Sequence, residues 1–271
     1  MPELRPLAPG VSVWLADEPG HGATNAGVVV DEDGITVIDS LLTPALSAPL
    51  AAALDGLGRR VRRLVYTSSH IEFTGGSASF PLAARYGRRQ TSVLLDQPPN
   101  PAAWSHLHPE HAADFDELVT RPVSHMVAEA AWLSPAVTAV PSGGQQFENL
   151  VVHVPAADVL FAGAMCCFGT TPLAFDGDPS AWADNLADVG DLATTIVPGI
   201  GPVGDADDVL ALQAYLYSCV DAGGDVSAIP PGPWDDWSDR RFDAVNVQRA
   251  AMLAEGDGSP PPAMLELLGL A

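Results

Sequence analysis

The sequence predicts an α/β protein built as a layered sandwich. Short apolar segments follow one another as hairpins, and helix-like segments separate these hairpins along the chain. The same order occurs once in each half of the 271 residues. Strands that pair with their sequence neighbours, with helices between the pairs, favour a layered sandwich over a doubly wound parallel sheet.

The first half begins with three strands and a helix. Asp31-Glu32-Asp33-Gly34 has the Asp-Gly signal of a hairpin turn. Thr43-Pro44 predicts a helix start, because proline is favoured at the first helical position. The elements predicted up to residue 119 are strands at Val11–Leu15, Gly27–Val30, Ile35–Asp39, Arg62–Tyr66 and Gln90–Leu95, helices from Thr43 to about Leu57, from Gly76 to Arg85 and over 110–119, and loops at Thr67–Gly76 and 96–110.

The second half repeats this arrangement. Two short apolar strands meet at the turn Pro155–Asp158, and a turn-rich tail begins at Gly223. The predicted elements are strands at Leu150–Val154, Val159–Phe161 and Thr194–Val197, helices at Pro179–Leu192, 205–220 and Phe242–Leu253, and a last short segment at Met264–Leu268.

Composition and charge exclude several functions. All 12 basic residues are arginine and 34 residues are acidic, so the formal net charge is −22. The absence of lysine excludes Schiff-base chemistry and lysine-dependent phosphate loops. A charge this negative argues against nucleic acid or an anionic membrane surface as a partner. The hydrophobic fraction of 47% is sufficient for a sizeable core.

The charges are unevenly distributed. Residues 59–89 contain seven arginines and one acid, Glu72. Such a window attracts anions, so a small anionic substrate is one hypothesis, and surface arginines flanking a strand and a helix are the simpler interpretation. Residues 176–208 contain eight acids and no base, which is typical of a solvated helical surface.

The cysteines and the apolar segments indicate the compartment. Cys166, Cys167 and Cys219 are an odd set with two adjacent members, which suits a reducing cytosol better than a disulfide framework. No run of 18 apolar residues occurs, and the first ten residues lack a basic-then-apolar signal. We therefore expect a cytoplasmic protein with no membrane partner.

Four segments, taken in order, resemble the metallo-β-lactamase fold. Residues 24–39 resemble its opening hairpins, and Thr67–Gly76 resembles its metal loop, Thr-His-x-His-x-Asp-His-x-Gly-Gly. Leu150–Gly163 resembles the later hairpin, and Val197–Pro202 resembles the Pro-Gly-His-Gly-Pro segment. The resemblance implies a four-layer αββα sandwich over residues 1–220, followed by a C-terminal helical extension, residues 221–271, packed on it.

Most metal-ligand positions of the family carry other residues here. The resemblance implies that seven side chains would hold two zinc ions, and only His70 keeps its ligand type, while Glu72 is one methylene longer than aspartate. Serine, glutamine, phenylalanine, alanine and isoleucine cannot together hold zinc. We therefore expect neither a metal nor another cofactor. The seven positions are occupied by Ser68, His70, Glu72, Phe73, Gln145, Ala164 and Ile200.

The polar residues left in the loop can carry acid–base chemistry. We expect His70 as the general acid–base, oriented by Glu72, with Ser68 as nucleophile or hydrogen-bond donor. The alternative is that these side chains only hold the loop together. Either adjacent cysteine could be a nucleophile, although a small buried apolar role is commoner. The residues expected to contact substrate are Gln145, Cys166, Cys167, Phe73, Ile200 and Trp104.

A second histidine cluster has the spacing of the metal loop. Residues 106–111 read His-Leu-His-Pro-Glu-His, but this segment does not follow a strand and no Gly-Gly comes after it. It predicts a loop that lines the pocket or faces solvent, with an adventitious metal site as the alternative.

Three functions are consistent with these residues. The first is a metal-independent enzyme that hydrolyses, eliminates, isomerises or cyclises a small organic substrate, with natural-product biosynthesis as one setting. The second is a catalytically silent relative that binds or assembles. The third is a single-metal hydrolase that uses His70, Glu72 and the 106–111 histidines. We also expect the tail that contains Trp234 and Trp237, with the helix after Phe242, either to cover a partner subunit in a homodimer or to pack on the parent domain.

Overall fold

Two β-sheets and their flanking helices form the molecule, as the computed structural model shows for residues 3–17, 20–97, 100–116 and 118–270. The α/β class is confirmed. The strands are β1 Leu4–Ala8, β2 Val11–Trp14, β3 Ala26–Asp31, β4 Gly34–Ile38, β5 Val61–Val65, β6 Ala84–Gly87, β7 His125–Met126, β8 Ala131–Trp132, β9 Thr138–Ser142, β10 Asn149–Val154, β11 Val159–Cys167 and β12 Thr195–Ile200. The helices are α1 Pro44–Asp55, α2 Ile71–Thr74, α3 Arg89–Leu95, α4 Pro101–Leu107, α5 Ala112–Phe115, α6 Pro179–Gly190, α7 Ala206–Asp221, α8 Asp243–Ala254 and α9 Pro262–Leu267.

The first sheet has seven strands in sequence order, β1 to β7. Strands β1 to β4 are antiparallel, and β4 to β7 are parallel. The second sheet has the order β12-β11-β10-β9-β8, with only the β11–β12 pair parallel. Because β4 and β5 are parallel, the loops that follow them lie at the same edge of the first sheet. The loop after β11 reaches the same end of the sandwich, since its Asp176 contacts His70 in the loop after β5.

Three apolar cores separate four layers. One core joins the facing sides of the two sheets, with Val13 and Val29 from the first sheet against Val152 and Phe161 from the second. A second core packs α1 on the outer face of the first sheet. A third packs α6 and α7 on the outer face of the second sheet, around the fully buried Trp182. This arrangement is the αββα sandwich that the resemblance implies.

Local capping explains where the main helices begin. The side chain of Thr43 accepts a hydrogen bond from the Leu46 amide at the start of α1. Asp178 caps α6 in the same way, and Asp205 and Asp208 form a reciprocal capping box at the start of α7. Within the described ranges, no helix is both long and apolar enough to cross a membrane.

Three predicted elements between residues 76 and 110 differ from the structure. Residues 84–87 form strand β6 where a helix was expected, and the predicted strand Gln90–Leu95 lies within helix α3. Thr91 and Leu95 are buried while Val93 and Leu94 are exposed, which is the i, i+4 pattern of a helix face. The predicted 96–110 loop contains helix α4, capped by Asn100, and its residues 98 and 99 lie outside the described residues.

The C-terminal residues pack on the outer helices of the second sheet. Helix α8 contacts both α6 and α7, and the buried Trp234 packs against Tyr215 of α7 at 5.8 Å between ring centroids. Trp237 packs at the same apolar core. The boundary between residues 220 and 221, and the homodimer, stay predictions.

Arg249 should anchor this extension. Its buried guanidinium donates to the carbonyl oxygens of Gly177, Gly258 and Ser259. Replacing it in Arg249→Met leaves these acceptors without their charged donor, and we expect the free energy of unfolding in urea to fall by about 2–4 kcal/mol. The exposed Arg89→Met variant is the control and should change it by less than about 0.5 kcal/mol. Equal stability of the two variants would contradict this role.

Candidate functional site

The loop after β5 is fixed by the loop after β4. Asp39, whose φ is 61°, accepts hydrogen bonds from the Thr67 amide at 2.8 Å and from the Thr67 hydroxyl at 2.7 Å. Burial raises the pKa of Asp39 to about 7. Only glycine fits at Gly75 and Gly76, because a Cβ at either would overlap a backbone carbonyl of the 40–42 turn. These contacts therefore fix the backbone of the 67–76 loop in one conformation.

His70 lies between two polar partners. Its Nε2 is 3.0 and 3.1 Å from the two carboxylate oxygens of Asp176, and its Nδ1 is 2.8 Å from Nε2 of Gln145. The ring also stacks on Phe175 at 5.0 Å. Burial by itself lowers the pKa of His70, but the Asp176 carboxylate more than offsets this and holds the pKa above its ordinary value. Both ring nitrogens are therefore engaged.

Glu72 pairs with a different histidine from the one predicted. Its Oε1 lies 3.4 Å from Nε2 of His108, and the two side chains are 3% and 2% exposed. Among the described residues, no hydrogen bond joins Glu72 to the His70 ring, so Asp176 occupies the orienting position that was predicted for Glu72. Burial raises the pKa of Glu72, but the hydrogen bond from His108 and the electrostatic effect of the His108 and His70 rings together more than offset it and bring the pKa to about 2.

Ser68 is fully buried and is held away from the His70 ring. Its hydroxyl donates to Oε1 of Gln146 at 2.9 Å, and it accepts from the His70 amide at 3.2 Å. The same Gln146 donates from Nε2 to Asp176 at 2.9 Å. A chain of hydrogen bonds thus connects Ser68, Gln146, Asp176, His70 and Gln145.

The cleft that would hold zinc in the family, which we call the former metal cleft, is almost filled by side chains in this chain. The cavity beside His70 has a volume of about 20 Å³, and its walls include five of the expected cleft residues together with Glu72, Ala164 and His21. Burial raises the pKa of both adjacent cysteine thiols. Trp104 does not line this cavity and instead stacks on His108 at 6.1 Å. The five expected residues are Gln145, Cys166, Cys167, Phe73 and Ile200.

The residues at the family's ligand positions do not fit a pair of zinc ions. Neutral or apolar side chains occupy five of the seven positions. His70, the one position that keeps the family's residue type, already has a hydrogen-bond partner at each ring nitrogen. Across the described residues, no group of three or more histidine, cysteine, aspartate or glutamate side chains is placed to hold a metal ion. No catalytic step through a metal follows from this donor set.

The arginine-rich window lies away from this cavity. Arg59 and Arg62 donate to backbone carbonyls of the 31–33 turn, and Arg63 pairs with Asp33 at 2.9 Å. Arg88 donates to the carbonyls of Val127 and Ala128. Among the described residues that line the cavity beside His70, none is an arginine.

Comparison with known proteins identifies the class. Residues 19–199 match the family model of the metallo-beta-lactamase superfamily, and this match covers more than half of the chain. The chain therefore belongs to the metallo-β-lactamase superfamily. No curated protein matches the sequence significantly.

Solved metallo-β-lactamases share the fold at low sequence identity. The mono-zinc form of FIM-1 from Pseudomonas aeruginosa has a TM-score of 0.63 at 16% identity, over 84% of this chain and 97% of its own. A metallo-β-lactamase from Erythrobacter litoralis has a TM-score of 0.60 at 21% identity, over 79% and 95% of the two chains. The enzyme from Pontibacter korlensis gives 0.63 at 18% identity, over 80% and 99%.

Sequence reasoning missed three residues of this site. Asp176 was included among the acids of a solvated surface, and Gln146 was not singled out. His108 was recognised only as part of a loop cluster, although it is buried against Glu72. A polar residue in an otherwise apolar loop, as in Leu173-Ala174-Phe175-Asp176, was the available signal.

Glu72 should stabilise the fold in a pH-dependent way. A carboxyl group whose folded pKa is below its ordinary value of 4.5 adds stability that is complete above 4.5 and is lost as the pH falls through about 2. We expect Glu72→Gln to lower the free energy of unfolding by about 3 kcal/mol at pH 7 and by only about 1 kcal/mol at pH 3. Urea denaturation at both pH values measures this. The exposed Glu255→Gln variant serves as the control, and an equal penalty at both pH values would contradict the pairing.

Proposed function

We propose that this chain is a metal-independent and catalytically silent member of the superfamily, which acts by binding rather than by turnover at the former metal cleft. The observation that carries the proposal is the filled cleft. Its volume of about 20 Å³ accommodates about one water molecule, whereas small-molecule sites occupy roughly 300–1,000 Å³.

The Ser68 hydroxyl and the two ring nitrogens of His70 support this proposal, because each of these groups already has a hydrogen-bond partner. A nucleophile needs a base within hydrogen-bond reach, and the Ser68 hydroxyl instead donates to Gln146. A general base needs an available nitrogen, and both nitrogens of His70 have partners. The cysteine thiols are poor nucleophiles, because their raised pKa keeps them protonated at neutral pH.

An acid–base enzyme is the second candidate. The Asp176–His70 contact supports it, because a carboxylate that orients an imidazole is the arrangement of a general base. The Asp176 side chain is 34% exposed, so this pair is accessible from one side. For catalysis, the Gln145 amide would have to move away from Nδ1 of His70. The single-metal hydrolase ranks third, because Glu72 and His108 contact each other rather than converging with His70.

Turnover assays separate these candidates. We expect the purified chain to leave a chromogenic β-lactam, an acyl thioester and a lactone unchanged, with or without added Zn²⁺, and to contain less than about 0.1 zinc per chain when purified without a histidine tag. His70→Ala should then change only stability, and the exposed His125→Ala variant should change nothing.

Two outcomes would contradict the silent assignment. Metal-free turnover that disappears in folded His70→Ala but persists in His125→Ala would establish the acid–base enzyme. Turnover that requires Zn²⁺ and disappears in the same variant would establish the single-metal hydrolase. Circular dichroism of each variant checks that the fold is retained.

A further inference from the structure

A second and much larger cleft lies beside the filled one. It has a volume of about 720 Å³, which is within the range of small-molecule sites. The 20–24 turn forms one wall, the short 3₁₀ helix Pro109–His111 forms another, and Asp239 and Arg241 complete the rim. His21 lines both cavities, so the two are neighbours.

The imidazole of His108 separates this cleft from Glu72. Its Nε2 faces Oε1 of Glu72 at 3.4 Å, and the tautomer that donates to Glu72 carries its ring proton on Nε2 and its lone pair on Nδ1. Within the part of the chain that the structure describes, no hydrogen bond reaches Nδ1 of His108. A buried imidazole, oriented from behind by a carboxylate, thus offers a hydrogen-bond acceptor to the larger cleft.

Gly22 keeps this nitrogen accessible. Its φ is 140°, and a Cβ at this position would lie 3.0 Å from Nδ1 of His108 and 3.5 Å from Oε1 of Glu110. A side chain here would therefore cover the space in front of the imidazole. Glycine is also the residue that adopts this backbone conformation without strain.

The rim of the cleft is negatively charged and its inner surface is apolar. The rim carboxylates of Glu110 and Asp239 lie near the guanidinium of Arg241, whose Nε donates to Asp239 at 3.2 Å. Together these three side chains carry a formal charge of −1, on a chain whose formal net charge is −22. Such a field attracts cations. The apolar lining consists of Trp14, Leu41, Leu46 and Leu107.

We propose that this larger cleft binds a small organic amine with an apolar body. The ammonium group would lie among the rim carboxylates and donate a hydrogen bond to Nδ1 of His108, and the apolar body would contact Trp14 and the leucines. This inference rests on the proposed function, since it supplies the ligand of a protein that binds without turnover. The small anionic ligand that the arginine-rich window suggested stays a separate prediction.

Three matched probes test the charge preference. Phenethylamine, 2-phenylethanol and phenylacetate share a phenyl group and differ in charge. Titrated into the full-length ¹⁵N-labelled protein, only phenethylamine should shift amide resonances around residues 20–24 and 108–111 in a saturable way. Its affinity should decrease as NaCl is raised.

Rim variants localise the site. In the double variant Glu110→Gln/Asp239→Asn, the Kd for phenethylamine should rise by about fivefold or more. Asparagine tolerates the positive φ of Asp239, so the fold should be retained. The control Asp221→Asn/Glu255→Gln removes the same charge from exposed positions outside the cleft and should leave the Kd unchanged. Gly22→Ala, where it folds, should abolish binding by covering Nδ1 of His108.

The outcomes distinguish this inference from the proposed function. Phenylacetate binding as tightly as phenethylamine, no saturable shifts with phenethylamine, or an unchanged Kd in the rim variant would each overturn the amine site. None of these results bears on turnover, so the silent assignment would stand. Turnover of the assay substrates would overturn the silent assignment without altering the result for the amine.

Discussion

The contact between the His70 ring and the Asp176 carboxylate joins the two sheets at the edge where the former metal cleft lies. His70 follows a strand of the first sheet, and Asp176 follows β11 of the second. Gln145, Gln146 and Asn149 complete the connection, because each contributes a side-chain hydrogen bond to the network. The position of the 67–76 loop, and with it the orientation of Glu72 and Phe73, depends on this link.

A hydrogen-bonded network can replace a metal cation as a cross-link between the sheets only when its donors and acceptors are paired with one another. A buried polar group without a partner costs about 1–3 kcal/mol, so the network is stable because Ser68, Gln145, Gln146 and Asp176 are all paired. Oε2 of Glu72 is an exception, since it is buried without a partner. Because the polar groups that stabilise the loop are hydrogen-bonded to one another, few of them are available for catalysis. This is the structural basis of the proposed lack of turnover at the cleft.

The fold could be predicted further than the site. A hairpin signal such as Asp33-Gly34 acts locally, so this hairpin followed from the sequence, while the four layers and the 67–76 loop followed from the resemblance. The partner of His70 did not, because Asp176 is 106 residues away and belongs to no motif. The pairing of Glu72 with His108 was missed for the same reason, since helix α4, which brings His108 inward, was expected to be a loop. Long-range packing, rather than local propensity, decides which polar groups meet.

Imidazole ¹⁵N chemical shifts of His70, recorded before and after a fivefold excess of Zn²⁺, test the central claim most directly. If hydrogen bonds have replaced the metal, His70 will show a protonated Nε2 bonded to Asp176, and Zn²⁺ will leave both ring nitrogens unchanged, while exposed histidines such as His106 respond. A zinc-dependent loss of the Nε2 proton of His70, absent in an Asp176→Asn control that retains its fold, would show that the cleft still takes a metal and would contradict the account.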